Sequence, residues 1–117
     1  MNRVDKPWGY ELRFICTERY AGKLLFIKAG AQLSLQYHNQ KDEAFLVHSG
    51  TLELVLGKGD EQRVERLEKG ESRHITPGTI HRFRAVTDCE LFEVSTPELD
   101  DVVRIEDDFG REGTSDA

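Results

Sequence analysis

Gly30-Ala31-Gln32-Leu33-Ser34-Leu35-Gln36-Tyr37-His38-Asn39-Gln40-Lys41-Asp42-Glu43-Ala44-Phe45-Leu46-Val47-His48-Ser49-Gly50 is the stretch that decides how this chain is read. Gln36 and His38 are two positions apart, so on an extended strand their side chains leave the same face of the pleat. Asn39, Gln40, Lys41 and Asp42 are polar turn formers, and Glu43 opens a β-favouring run, Phe45-Leu46-Val47. A hairpin at this point is expected to return Glu43 beside His38. An amide oxygen, an imidazole and a carboxylate gathered this way suit a borderline divalent cation but leave the site one ligand short of closure. A shifted register, with His38 and Gln40 as the pair, breaks the spacing from Gly30 and leaves too short a turn before Glu43.

The fourth ligand lies downstream, in Gly70-Glu71-Ser72-Arg73-His74-Ile75-Thr76-Pro77-Gly78-Thr79-Ile80-His81-Arg82-Phe83. Pro77-Gly78 marks a tight turn, and His81 enters the strand after it. The glycines and the four ligand types from Gly30 to His81 resemble the two sequence motifs of the cupin superfamily, with Gln36 standing where the first motif usually has a histidine. The segment Leu33-Ser34-Leu35-Gln36-Tyr37-His38, with its Gln-x-His pair, is similar to the metal-binding segment of phosphomannose isomerases. Lys6-Pro7-Trp8-Gly9-Tyr10-Glu11 near the start resembles one border of the isomerase domain in bifunctional mannose-1-phosphate guanylyltransferase/mannose-6-phosphate isomerases. Asp100 to Asp107 and Phe109-Gly110-Arg111 resemble the other. The resemblance runs from about Lys6 to Arg111. It implies an all-β fold, a cupin jelly-roll antiparallel β-barrel forming a single domain over residues 1–111. It also implies a metal site of Gln36, His38, Glu43 and His81 that prefers zinc, with iron, manganese or nickel as alternatives. No glycine-rich nucleotide loop precedes the cupin block, so guanylyltransferase activity is not expected.

The strand pattern agrees with that architecture. β-type segments are expected at Glu11 to Cys16, Lys23 to Ala29, Gln32 to Tyr37, Ala44 to Ser49, Thr51 to Leu56, Arg63 to Leu67, Ser72 to Ile75, His81 to Ala85 and Glu90 to Ser95. Short strands with no convincing helix between them must close or stack to hide their edges. The loop Gly57-Lys58-Gly59-Asp60-Glu61-Gln62 joins two strands, whereas a dinucleotide fingerprint leads into a helix. Glu98 to Ile105 reads as a closing segment, a short helix or an extra strand, and residues 112–117 as a disordered tail.

Composition excludes several classes. With 117 residues, 38% hydrophobic and 32% charged, the chain is one ordinary globular domain. A net charge of −6 argues against a nucleic-acid partner, which demands a basic face. No apolar run has the length of a membrane span, and Asn2 to Lys6 is polar where a signal peptide needs its apolar stretch, so neither membrane insertion nor export is expected. A cytoplasmic location follows, with Cys16 and Cys89 read as two buried thiols and a disulfide as the minority alternative.

Single histidines in strands are more often structural than ligating. Here the joint spacing decides for a metal, since burying a carboxylate and two imidazoles without a cation costs several kcal/mol. His48 and His74 fit neither motif and are read as structural. Trp8 and Tyr10 read first as core or dimer packing and second as a pocket wall. Lys23 and Arg73 are the candidates for contact with a phosphate group, the catalytic base is left unassigned, and a homodimer is expected through a β-face and the Trp8-Gly9-Tyr10 segment.

Three functions are compatible with this reading. The first is a sugar-phosphate isomerase of the mannose-6-phosphate type, moving a proton between C1 and C2 beside a Lewis-acidic ion. The second is a small iron-dependent dioxygenase. The third is a non-catalytic module that binds a sugar or sugar phosphate.

Overall fold

In the computed structural model, which describes residues 2–111 and the backbone of Gly113–Thr114, period-two burial is plainest in Glu43–Ser49. There Glu43, Phe45 and Val47 are buried while Leu46 and His48 are exposed. Such alternation makes a strand that covers a core with one face and meets solvent with the other. The described residues form twelve strands: β1 (Asn2–Lys6), β2 (Gly9–Cys16), β3 (Ala21–Ile27), β4 (Leu35–Tyr37), β5 (Glu43–Ser49), β6 (Leu52–Leu56), β7 (Arg63–Leu67), β8 (Ser72–Ile75), β9 (His81–Ala85), β10 (Cys89–Ser95), β11 (Val103–Glu106) and β12 (Gly113–Thr114). They make two six-stranded sheets, ordered β1-β2-β3-β10-β5-β8 and β12-β11-β4-β9-β6-β7. The pairings between these strands are antiparallel. No strand pairing among the described residues joins the two sheets, so the jelly roll is an open sandwich rather than a closed barrel.

The sheets meet through side chains. Leu25, Ile27, Phe45, Val47 and Leu91 from the first sheet bury against Leu52, Leu54, Leu56 and Phe83 from the second. Each contributes on the order of 1.5 to 3 kcal/mol by leaving water. Phe45 and Phe83 touch edge to face across the interior, their centroids 4.7 Å apart. At the rim, Arg73 of β8 reaches Glu65 of β7 at 3.0 Å, an ion pair that ties the edge strand of one sheet to that of the other. The turn between β5 and β6 requires Gly50. Its φ is +88°, and a Cβ there would sit 2.2 Å from the Asp88 carbonyl oxygen.

Each of the nine expected segments contains a strand, and the expected β6–β7 hairpin forms, with a 3₁₀ turn at Gly59–Glu61 in its loop. The closing segment resolves into strand β11. The connection from β4 to β5 is not a hairpin, because β4 belongs to the second sheet and β5 to the first. β1 lies outside the expected segments too. Its alternating Arg3 and Asp5 look like loop residues, but an edge strand tolerates charge on both faces. Cys16 is exposed at the end of β2, not buried; only Cys89 is buried, and both thiols are free. Glu112 and residues 115–117, part of the tail expected to be disordered, lie outside the described residues. No helix among the described residues is long and apolar enough to cross a membrane.

Candidate metal centre

The crossover from β4 to β5 positions the site. His38 follows β4 directly, Glu43 begins β5 and His81 begins β9, so the three side chains converge between the sheets at one end of the sandwich. All three residues are buried, at 3%, 3% and 1% exposure respectively. His38 Nε2 lies 2.7 Å and His81 Nε2 3.9 Å from Glu43 Oε1. The three donor atoms all lie within 4.8 Å of one another. Ligands on a tetrahedral ion at ordinary bond lengths stand ~3.4 Å apart, so the arrangement needs little adjustment to hold one. Glu43 does lie beside His38 as the spacing implies, although a change of sheet brings it there.

Backbone carbonyls orient both imidazoles. His38 Nδ1 donates to the Asp101 carbonyl at 2.6 Å, and His81 Nδ1 donates to that of Thr79 at 2.8 Å. A carbonyl can only accept, so each Nδ1 carries the proton and each Nε2 presents a lone pair to the site. His38 Nε2, His81 Nε2 and Glu43 Oε1 make no hydrogen bond, the last despite its closeness to His38. Three buried polar atoms aimed at one point without hydrogen-bond partners are costly in an ion-free protein and satisfied by a cation. Burial also lowers the His81 pKa and keeps that ring neutral, as a ligand must be. The ligand-bearing segments are anchored as well. Gly78, at φ +83°, donates its N–H to the His38 carbonyl at 2.7 Å, and the Asp101 carboxylate accepts the N–H groups of Asn39, Gln40 and Lys41 at 3.1, 2.6 and 2.9 Å.

Gln36 lines the same cavity, opposite His81 in the β4–β9 register, but its Oε1 accepts from Ser34 Oγ at 2.6 Å. Three of the four expected ligands therefore converge, and the fourth stands beside them. The cavity is half open to solvent, and its water-accessible interior of about 50 Å³ holds an ion with a few waters, each needing about 10–15 Å³ of such space. Trp8 forms part of its wall and is only 3% exposed, which removes it from any dimer contact. Lys23 also faces the cavity. Arg73 does not: it is spent on Glu65 at the rim, and a phosphate in this cavity is out of its reach. His74 pairs with Asp42 at 2.6 Å and His48 rests on Phe92, both exposed and outside the site, as expected of structural histidines.

A row of charge crosses the floor of the first sheet beside the ligands. Lys23 Nζ lies 3.2 Å from Glu11 Oε2 and 3.5 Å from Glu93 Oε2, with Arg13 on the far side of Glu11 at 2.7 Å. Burial and the neighbouring Glu43 charge push the Glu93 carboxyl up to about 8. Burial pushes Glu43 upward as well, but Glu93, His38, Lys41 and His81 around it together outweigh burial and hold it well below the usual carboxylate range. Glu93 is thus a buried acid touching a ligand and opening on the cavity. The motifs do not single it out, and Phe92 and Val94 on either side make it read as a solvent-facing charge in the sequence. Leu91, Glu93 and Ser95 share the inward face of β10 while Phe92 and Val94 point outward, so a charge stands where the alternation demands an apolar residue.

Comparison with solved structures agrees with this architecture. Staphylococcus aureus CapF, a capsular polysaccharide assembling protein, superposes with a TM-score of 0.80 at 23% identity over 90% of this chain and 31% of its own. An RmlC-like cupin protein of Desulfovibrio desulfuricans superposes with a TM-score of 0.64 at 26% identity over 74% of this chain and 80% of its own. The fold is that of a cupin. Residues 1–107 match the family model described as the mannose-6-phosphate isomerase C-terminal domain, and the chain belongs to that family. Among curated relatives, the xanthan biosynthesis protein XanB of Xanthomonas campestris is 37% identical over 93% of this chain, and the mannose-1-phosphate guanylyltransferase ManC of Salmonella typhimurium 34% identical over 92%. The chain spans 24% and 23% of their lengths, about a quarter of each.

Proposed function

We propose that this domain is a metal-dependent sugar-phosphate isomerase interconverting an aldose and a ketose of the mannose-6-phosphate type. The observation that carries the reading is the convergence of His38 Nε2, Glu43 Oε1 and His81 Nε2, none with a hydrogen-bond partner, next to the buried carboxyl of Glu93, which burial and Glu43 push up to about 8. His38, Glu43 and His81 would hold a divalent ion, with Gln36 as a candidate fourth ligand, and the ion would supply Lewis acidity toward the sugar carbonyl and adjacent hydroxyl; zinc suits the set best, and iron, manganese or nickel also fit it. Glu93 moves the proton. Its carboxyl is pushed up to about 8, so the fraction ionised near neutral pH is a strong carboxylate base that can take the proton from C2 and, as the acid so formed, return it at C1. Lys23, on its other side, steadies the carboxylate form that takes the proton. Trp8 and Leu33 keep bulk water from the reacting carbons.

A second reading has its own support. Two imidazoles and one carboxylate, with Gln36 held away by Ser34, are the donor set of non-haem iron oxygenases. Metal analysis of the purified protein, combined with a coupled assay on mannose 6-phosphate and an oxygen electrode, separates the two. Turnover without oxygen uptake supports the isomerase; oxygen uptake with iron supports the oxygenase. As part of the same proposal the protein works in the cytoplasm, which its exposed free thiol at Cys16 favours, and as a homodimer through the outer face of the first sheet.

A further inference from the structure

The interior holds two arginines with opposite circumstances. Arg82, 8% exposed, donates to the Leu33 carbonyl at 2.9 Å and reaches Glu106. Arg104, 7% exposed, has neither Nε nor Nη1 hydrogen-bonded, and no ion pair joins it to any described residue. An unpaired guanidinium taken out of water costs several kcal/mol and persists where something outside the chain is its partner. Arg104 lines the metal cavity, and the strand register shows where along it. It stands opposite Gln36, which stands opposite His81, so the guanidinium and the ion site lie along one cross-strand row two strand spacings apart, about 10 Å.

The charge around it is one-sided. Lys6, Lys23, Lys41, Arg104 and Arg111 supply five cations to the cavity lining, against the three carboxyl groups of Glu11, Glu43 and Glu93. Lys23, Lys41 and Arg111 are paired, with Glu11 and Glu93, Glu43, and Asp107 respectively. Lys6, half-buried at the end of β1 and close enough to Arg104 to feel its charge, has no ion pair among the described residues. In a protein of net charge −6, two cations left over in one cavity, one of them buried, make a built anion site.

We infer that Arg104, assisted by Lys6, is the phosphate-binding element of the ligand site, holding the phosphate monoester of a substrate whose carbonyl end reaches the ion. The inference rests on the isomerase reading and deepens it, naming the group that fixes the far end of the sugar. It replaces Lys23 and Arg73 as the phosphate contacts. A guanidinium fork matches the phosphate oxygens bidentately, and Arg104 has two donors free for it.

Trp8, the single tryptophan, lies in the cavity wall, so its fluorescence reports occupancy. Inorganic phosphate titrated into metal-loaded protein at constant ionic strength should change Trp8 emission saturably. Arg104→Met should raise the apparent Kd for phosphate about 10-fold or more. The same variant should unfold at a higher temperature than wild type in phosphate-free buffer, because an unpaired buried charge has gone. Arg73→Met should bind as wild type does. An unchanged Kd in Arg104→Met, or a lowered thermal midpoint with binding intact, overturns the inference and makes Arg104 structural. Glucuronate binding as tightly as phosphate through Arg104 overturns phosphate as the ligand class. Arg104-dependent phosphate binding without turnover of mannose 6-phosphate removes the isomerase reading and leaves this one standing; turnover with an Arg104→Met KM equal to wild type does the reverse.

Discussion

His38 Nδ1 and the carbonyl oxygen of Asp101 are 2.6 Å apart, although 63 residues separate them in the chain. The contact fixes the tautomer of a ligand from outside the metal motif, and the Asp101 carboxylate clamps the three backbone N–H groups that follow His38. The Asp100 to Asp107 stretch, recognisable in the sequence as a border, is therefore part of the site. Asp101→Ala should weaken metal binding by roughly 10- to 100-fold while the fold survives. Chelator competition measures it, and an unchanged affinity would show that the loop holds itself.

The ligand set makes a sharper demand. His38→Ala and His81→Ala should each lose bound metal and much of the protein's thermal stability, because an under-coordinated Glu43 is left in the interior. His48→Ala and His74→Ala should keep full metal content. Gln36→His should retain metal and shift its preference, since it restores the commoner cupin ligand. Metal content per chain by elemental analysis decides all five; loss in His48→Ala with retention in His81→Ala would require a different assignment.

The Glu11 carboxyl sits below its ordinary value: burial pushes it upward, but Lys23 and Arg13 outweigh burial. A depressed carboxylate contributes stability above its unfolded value, about 4.3, and loses it as pH falls toward the folded value. The Glu11 contribution should therefore be complete at neutral pH and fade below about pH 4.3, while Glu93, raised to about 8, gives the opposite slope, its contribution being lost as pH rises from about 4.3 to 8. Glu11→Gln should flatten that acid decline and cost ~3 kcal/mol at pH 7, with Lys23 left beside a protonated Glu93. Urea midpoints across the pH range measure both, and a steeper acid decline in the variant would contradict the pairing.

A homodimer needs an apolar face other than buried Trp8. The outer face of the first sheet offers one: Phe14, Leu46, Phe92 and Val94 are 47%, 39%, 40% and 59% exposed. Phe92 is paired with Leu46, and Val94 with Gly22, against which Phe14 lies. An exposed stripe of this kind is a docking surface in soluble proteins. Light scattering should give a dimer for wild type and a monomer for Val94→Glu. A monomeric wild type at micromolar concentration would remove the proposal.

What the sequence shows and what it hides have physical reasons. The convergence of His38, Glu43 and His81 is legible because a shared site fixes both residue types and spacing, and spacing survives the mistaken hairpin; Gln36, held by Ser34, stands beside them. That Glu43 starts a strand of the opposite sheet is not legible, since residues 39–42 suit a crossover as well as a turn. Glu11, Glu93 and Arg104 are hidden for a different reason. Charged residues in short strands normally mark the solvent face, and only the packing of the other strands around them reveals that these three point inward. Trp8 is ambiguous because a pocket wall and a core position draw on the same residue type.

The most direct test of the metal-dependent isomerase is a coupled assay for fructose 6-phosphate formed from mannose 6-phosphate, run on metal-analysed wild type, His81→Ala and Glu93→Gln. Wild type should carry about one divalent ion per chain and turn over, His81→Ala should lose both ion and activity, and Glu93→Gln should keep the ion but lose at least ~100-fold in kcat. Metal-loaded wild type without turnover, or Glu93→Gln with full activity, would contradict it.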